Sequence, residues 1–206
     1  MIHARPGYKA LALLLLGALC LAAAAPTGDP PPMQQSLRGH FLIAAPTMGD
    51  PRFERTVILM VRHDATGAFG LVINRPTGWR TLGELLAATG EKIDAPQSVP
   101  VHWGGPVQPG HGFILHSAEY RRAETKPVDG RLAMTASRDA LVDIANGKGP
   151  EKYLIAFCYA GWVPGQLEGE MARNGWFTAP EDPRLVFELD RDKLWDAAMA
   201  RRTREL

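Results

Sequence analysis

The chain has 206 residues, a formal net charge of +1, and 46% hydrophobic and 22% charged residues. That balance fits one folded domain of ordinary size and excludes wholesale disorder. The 2 cysteines exclude a disulfide framework and a cysteine-rich zinc site, and the near-zero charge leaves no electrostatic footprint for direct nucleic-acid binding.

Ala10 to Ala25 is an unbroken apolar run preceded by Arg5 and Lys9, with no acid before Asp29. A positive start, a short apolar stretch and a small-residue end are the parts of a secretory signal. The run falls short of the roughly 20 strongly apolar residues that a transmembrane helix needs. Cleavage after Ala24 satisfies the A-x-A rule through Ala22 and Ala24. We therefore expect residues 1–24 to be a signal peptide, residues 25–36 a Pro-rich linker and residues 37–206 the domain, with a periplasmic or secreted location. Three alternatives stay open: a lipoprotein modified at Cys20, an uncleaved anchor, and a true start near Met33, which would make the protein cytoplasmic. Loss of Arg5 and Lys9 with the leader leaves a near-neutral body without a membrane span, and Cys158 as its sole cysteine.

Phe41–Ala45 predicts a short strand closed by Pro46. Thr56–Arg62 (T-V-I-L-M-V-R) predicts a strand buried on both faces. The turn His63–Gly67 leads into Phe69–Ile73, making an antiparallel hairpin. Thr81–Ala88 predicts a helix with Thr81 and Glu84 as a capping box and Leu82, Leu85 and Leu86 on one face. Val99–Trp103 and Gly112–His116 predict strands separated by the turn Gly104–Gly110, and Glu119–Arg131 predicts a loop. Ser137–Asn146 predicts a helix capped by Ser137 and stopped by Gly147, with Leu141, Ile144 and Ala145 inward. Tyr153–Tyr159 predicts a central strand, Pro164–Asn174 a helix, Leu185–Leu189 a late strand, and Arg191–Arg202 a helix packing Leu194, Trp195, Ala198 and Met199. Hairpins mixed with helices imply an α/β (α+β) domain with a mixed sheet rather than a pure βαβ array.

Chemistry-bearing patterns are sparse. G-x-S-x-G, H-E-x-x-H, G-x-x-x-x-G-K-[ST] and G-x-G-x-x-G are all missing from the sequence. We expect no catalytic set, cofactor or metal. His111 and His116 stand five apart on a strand and so point to opposite faces. His102 and His116 could meet across adjacent strands, but no third ligand is evident. Cys158 sits in the apolar run I-A-F-C-Y-A, where a buried thiol is usual. Three segments offer binding chemistry instead. Asn74-Arg75-Pro76 ends a strand and could present a guanidinium and an amide, or simply cap its own turn. Gly104 and Gly105 could form an anion nest or a tight turn. In G-W-V-P-G-Q-L-E-G-E-M-A-R-N-G-W, Gln166, Glu170 and Asn174 recur every four residues between Trp162 and Trp176, a polar stripe on one helix face. Glu168 and Glu170, two apart, face different ways and make a poor acid/base pair.

The segments Leu37–Leu59, G-L-V-I-N-R-P at Gly70–Pro76 with G-G-P-V at Gly104–Val107 and H-G-F-I-L-H-S at His111–Ser117, and Tyr159–Trp176 together resemble the YqgE/AlgH family of bacterial proteins. The resemblance covers about residues 37–202. It implies a single compact domain with a mixed, largely antiparallel sheet flanked by helices. It supplies no catalytic residue, because no enzymatic activity or cofactor is established for that family, and it carries a loose label of transcriptional regulator. This chain departs from the family in its export-like leader and in Cys158, where glycine is common. The expected role is a non-catalytic binding or regulatory protein gripping a protein or small ligand through Asn74, Arg75, Gly104, Gly105, Trp162, Gln166, Glu170 and Asn174. The alternatives are an enzyme with a cleft near Arg75 and Gln166, and a transcriptional regulator.

Overall fold

A computed structural model describes residues 35–203. The expected leader, residues 1–24, and all but the last two residues of the expected linker lie outside them. Ten strands form one sheet: β1 (His40–Ala44), β2 (Val57–Asp64), β3 (Gly67–Val72), β4 (Pro76–Thr81), β5 (Ser98–Trp103), β6 (Val107–Ser117), β7 (Lys126–Pro127), β8 (Leu132–Thr135), β9 (Tyr153–Trp162) and β10 (Trp176–Pro180). The main path runs β10-β1-β2-β3-β9-β6-β8-β7, and β5 joins β4 to β9. The pairings are antiparallel except β5 with β9. Among the described residues the helices are α1 (Leu82–Ala87), α2 (Arg138–Ala145), α3 (Gln166–Ala172), α4 (Pro183–Phe187) and α5 (Arg191–Ala200).

Alternation along the strands divides the core. Phe41 and Ile43 of β1 join Val57, Leu59 and Leu71 beneath α4 and α5, where Val186, Leu194, Trp195 and Ala198 complete the layer. Leu42 and Ala44 face the other way, with Ile58, Met60, Val72 and Leu167 of α3. A third cluster packs Leu82 and Leu85 of α1 and Ala140 and Ile144 of α2 on Val101, Ile114 and Ile155. The double-sided burial expected of the Thr56–Arg62 run is present: Val57 to Met60 are wholly buried.

Local chemistry sets the helix starts. The Thr81 hydroxyl accepts the Glu84 N–H at 3.1 Å and the Glu84 carboxylate accepts the Thr81 N–H at 2.7 Å, the capping box expected from sequence. Leu185–Leu189, expected as a strand, instead lies across α4 and its end. Asp182 accepts the Arg184 N–H at 2.9 Å and Pro183 occupies the first turn, a start signal that outweighs the apolar L-V-F run. The helix expected from Pro164 begins two residues later at Gln166 and ends at Ala172. Strand β6 begins inside the expected Gly104–Gly110 turn, with its register shifted between Val107 and Gly112. His102 and His116 do not meet, because β9 runs between their strands.

Strand β9 is the hub. Its first half lies between β5 and β6, and its second half pairs with β3. The change of partner falls at Cys158, which has φ +64°. That left-handed conformation bends the strand at a steric cost for any residue with a Cβ. Gly104 and Gly105 pack against this bend. A Cβ on Gly104 would fall 2.3 Å from the Cys158 carbonyl oxygen, and one on Gly105 2.1 Å from the Tyr159 carbonyl carbon. Both glycines are buried, and the Gly104 N–H donates to the Phe157 carbonyl at 2.7 Å. The pair serves a close approach of two backbones, and the Gly104 N–H is not free for the anion nest offered by the sequence.

Beyond β10, the Glu181 side chain is 1% exposed and lies against Arg131. Burial, with the Asp129 carboxylate beside it, pushes the Glu181 carboxyl up to about 8 despite Arg131. Asp129 is held low despite its own burial, by Glu181 and by the Arg131 and Leu132 N–H groups.

Two predictions follow from this architecture. Cys158→Gly raises stability by about 0.5 kcal/mol in denaturant melts, because the relief of left-handed strain slightly exceeds the backbone entropy cost of glycine, whereas Cys158→Val lowers it by about 2 kcal/mol. Glu181 has a folded value above its unfolded one, so its protonated form supports the fold fully below about pH 4.5 and that support is lost as pH rises through about 8. Glu181→Gln therefore raises the melting temperature more at pH 8 than at pH 5; an equal shift at both would exclude the assignment. The opposite contribution of Asp129 is lost only in acid, below its ordinary value of 3.8.

Candidate functional site

The Trp162–Trp176 segment leaves the sheet at the end of β9, turns through Pro164 and Gly165 into α3, and returns as β10. Trp162 and Trp176 are 7% and 5% exposed, and their rings meet edge to face at 6.0 Å. Both indoles point their N–H at one atom. Glu170 Oε2 accepts from Trp162 Nε1 at 2.9 Å and from Trp176 Nε1 at 2.8 Å. Glu170 Oε1 accepts from Gln166 Nε2 at 2.9 Å, and Gln166 Oε1 accepts the Val163 N–H at 3.2 Å. The i, i+4 spacing read from sequence thus becomes a real contact between Gln166 and Glu170.

Asn174 does not extend this stripe. It follows the end of α3 in a left-handed conformation, φ +57°. Its N–H donates to Met171 O at 2.8 Å and that of Gly175 to Glu170 O at 3.0 Å. These are the two bonds of a Schellman stop, for which Asn is a common occupant.

Glu168, on the other side of α3, reaches His63 Nε2 at 2.7 Å. His63 Nδ1 accepts the Leu37 N–H at 3.0 Å, so the ring hydrogen sits on Nε2 and is donated to the carboxylate. Burial pushes the Glu168 carboxyl up, but the hydrogen bond from His63 and a backbone N–H hold it below the usual range. The buried His63 therefore orders the junction of the segment before β1, β2 and α3. This pair spans 105 residues. Sequence reasoning missed it because no local spacing signals it.

A hollow of about 320 Å³ opens beside Trp162 and Trp176. Its walls include Gln166, Glu170, Pro106 and the Met48–Phe53 loop. Phe53 stacks edge-on to Trp176 at 5.5 Å and tilted to Trp103 at 6.1 Å, and the Arg52 guanidinium lies 5.9 Å from the Phe53 ring centre. Arg52 also grips Asp50 at 2.6 Å, and its hydrogen bond holds that carboxyl below its ordinary value against a small effect of burial. The Met48–Phe53 loop was missed from sequence, since its role comes only from tertiary contact.

Asn74 and Arg75 do not line this hollow; they line a second one. The sequence-selected residues thus divide between two hollows, the buried backbone contact at Gly104 and Gly105, and the stop of α3 at Asn174. The remaining buried histidines are satisfied within the core. His102 touches the Ile155 carbonyl at 3.3 Å, and burial lowers its pKa to about 4. His116 donates from Nδ1 to the Ser117 carbonyl at 2.9 Å and accepts the Thr135 hydroxyl at Nε2 at 2.9 Å. Among the described residues no group of three or more His, Cys, Asp or Glu could hold a metal ion. No helix there is long and apolar enough to cross a membrane.

Fold and site define a small single-domain protein built on one curled, largely antiparallel sheet. The chain belongs to the AlgH-like family (DUF179), which matches residues 41–206. It is similar to UPF0301 proteins from Sphingopyxis alaskensis, 44% identical over 79% of this chain and 87% of that one, and from a Jannaschia species, 46% identical over 82% and 90%. The solution structure of the AlgH protein from Pseudomonas aeruginosa superposes with a TM-score of 0.71 at 44% identity, covering 86% of this chain and 90% of that one. A crystal structure from Corynebacterium diphtheriae shares the fold at 23% identity, with a TM-score of 0.63 over 81% of this chain and 87% of that one.

Removing the shared acceptor tests the geometry. Glu170→Ala strands two indole N–H donors and costs about 3 kcal/mol in denaturant melts. Glu170→Gln keeps an oxygen for the indoles but sets its amide against that of Gln166, and costs about 1 kcal/mol.

Proposed function

We propose that the protein is a non-catalytic binding protein, and that its ligand or a partner's side chain seats in the aromatic hollow beside Glu170. The observation that carries this reading is the engagement of Glu170: two indoles and an amide already hold its carboxylate, which supports reading it as a fixed wall of the hollow. A general acid or base needs a value near the working pH and a free path to substrate. Asp50, the other carboxylate of the hollow, is held low by Arg52. Glu181 and His102, both moved far by burial, line neither hollow. The enzyme alternative required Arg75 and Gln166 in one cleft, and they stand in different ones. At about 320 Å³ the space lies at the low end of small-molecule sites, roughly 300–1,000 Å³.

The test is a panel of small amines, carboxylates and sugars screened by amide and indole NMR shifts. The reading expects a saturable response centred on Phe53, Trp162, Gln166 and Trp176 that Gln166→Ala weakens, with no chemical change in the bound compound. Turnover of a panel member with loss of activity in Glu170→Gln would overturn it. We further propose export as the setting of this binding, on the strength of the apolar run Ala10–Ala25 behind Arg5 and Lys9. Mass determination of the native N-terminus should find a chain beginning at Ala25; a cytosolic chain beginning at Met1 or Met33 would contradict it.

A further inference from the structure

The second hollow, about 330 Å³, forms where Glu54–Arg55, Asn74–Arg75 and the first turns of α5 come together. Three guanidiniums line it, and they are not equivalent. Arg55 is spoken for: it lies over the Trp195 ring at 4.2 Å and pairs with Asp196 at 2.7 Å. Arg75 directs Nη2 at the Glu54 carbonyl and, at 3.4 Å, at Thr56 Oγ1. Arg191 directs Nη1 at the carbonyls of Val186, 2.7 Å, and Ile73, 3.4 Å. Among the described residues neither Arg75 nor Arg191 has a carboxylate within 4.0 Å, whereas Arg55 beside them is paired with Asp196. Both are half-buried. Burial lowers the Arg191 pKa in spite of nearby Asp190, the mark of a cation short of a counter-charge.

The free groups are matched to a ligand. Arg191 keeps Nε and Nη2, the side-on fork that grips an oxoanion through two parallel bonds, without a partner among the described residues. Arg75 likewise keeps Nε and Nη1. Asn74 does not contact the space as a donor. Its side chain accepts the Val57 N–H at 2.9 Å and donates to the Arg55 carbonyl at 2.9 Å, and so locks the corner that presents Arg75. Glu54 and Asp192 lie exposed on the rim. They disfavour a long polyanion and leave room for a compact one.

We propose that this hollow is a site for a small oxoanion, a carboxylate or a phosphate monoester group, held between the side-on fork of Arg191 and the free nitrogens of Arg75. The pairing supplies the short-range counter-charge that neither guanidinium has within 4.0 Å among the described residues. It stands apart from the aromatic hollow and does not depend on what binds there.

The experiment titrates the full chain with sodium phosphate, sodium acetate and sodium chloride at matched ionic strength, read by backbone and arginine side-chain NMR. Saturable shifts at Asn74, Arg75, Arg191 and Asp192 are expected with phosphate or acetate but not with chloride; phosphate alone would assign a phosphate group, and both a general oxoanion site. Arg75→Gln should weaken the apparent Kd by about tenfold or more, the worth of one charge-assisted contact. Arg191→Lys, which keeps the charge but loses the fork, should weaken it as well, and covers the case in which Arg75→Gln loses the fold. Shifts that chloride reproduces, or affinity unchanged in the variants, would overturn the proposal.

Discussion

One carboxylate oxygen ties together the end of the central strand, a short helix and the outermost strand. Glu170 Oε2 accepts an indole N–H from Trp162 on β9 and another from Trp176 on β10. The two donors sit in a largely apolar cluster with Leu42, Ile58 and Leu167, where an unpaired N–H costs about 1–3 kcal/mol. Without the shared acceptor, two large buried side chains would each carry that cost. With it, α3 is fixed although it has only seven residues and no side-chain cap at its start. The aromatic hollow is the outer surface of this arrangement, so its shape is set by the fold before any ligand arrives.

The same economy of parts governs β9. It serves three neighbours because the chain bends at Cys158, and the bend requires both a left-handed residue and two glycines without side chains opposite it. Gly104 and Gly105 therefore act through steric absence. Their contribution is to let β5 end flush against β9, which in turn holds Pro106 at the edge of the hollow. Trp103, the residue before them, contacts Phe53 from the same stretch of chain.

Legibility from sequence followed the reach of each interaction. The β2 run, the Thr81–Glu84 box, the Ser137 cap and the Gln166–Glu170 spacing are all local patterns, and each has its expected structure. Strand β4, P-T-G-W-R-T, could not be read, because it is an edge strand with hardly a buried side chain and so shows no alternation. Strand β10, W-F-T-A-P, could not be read either, because it is only five residues long and begins two residues after the left-handed Asn174. The apolar stretch after Asp182 looks like a strand by hydrophobicity alone, but its cap and proline start a helix there. Within the site, Trp162, Gln166, Glu170 and Trp176 were visible as a spaced set. The Met48–Phe53 wall, the His63–Glu168 contact and the meeting of Arg75 with Arg191 were not, since they join segments distant in sequence. Two hollows, one aromatic and one cationic, were thus anticipated as a single surface.

Glu170 is a structural acceptor for two indoles. Hydrogen exchange of the tryptophan indoles tests this directly, with Trp79, 65% exposed, as the internal reference. The account predicts that the Trp162 and Trp176 Nε1–H groups exchange far more slowly than that of Trp79 and lose protection together in Glu170→Ala. Exchange of either indole at the Trp79 rate in the native protein would contradict it.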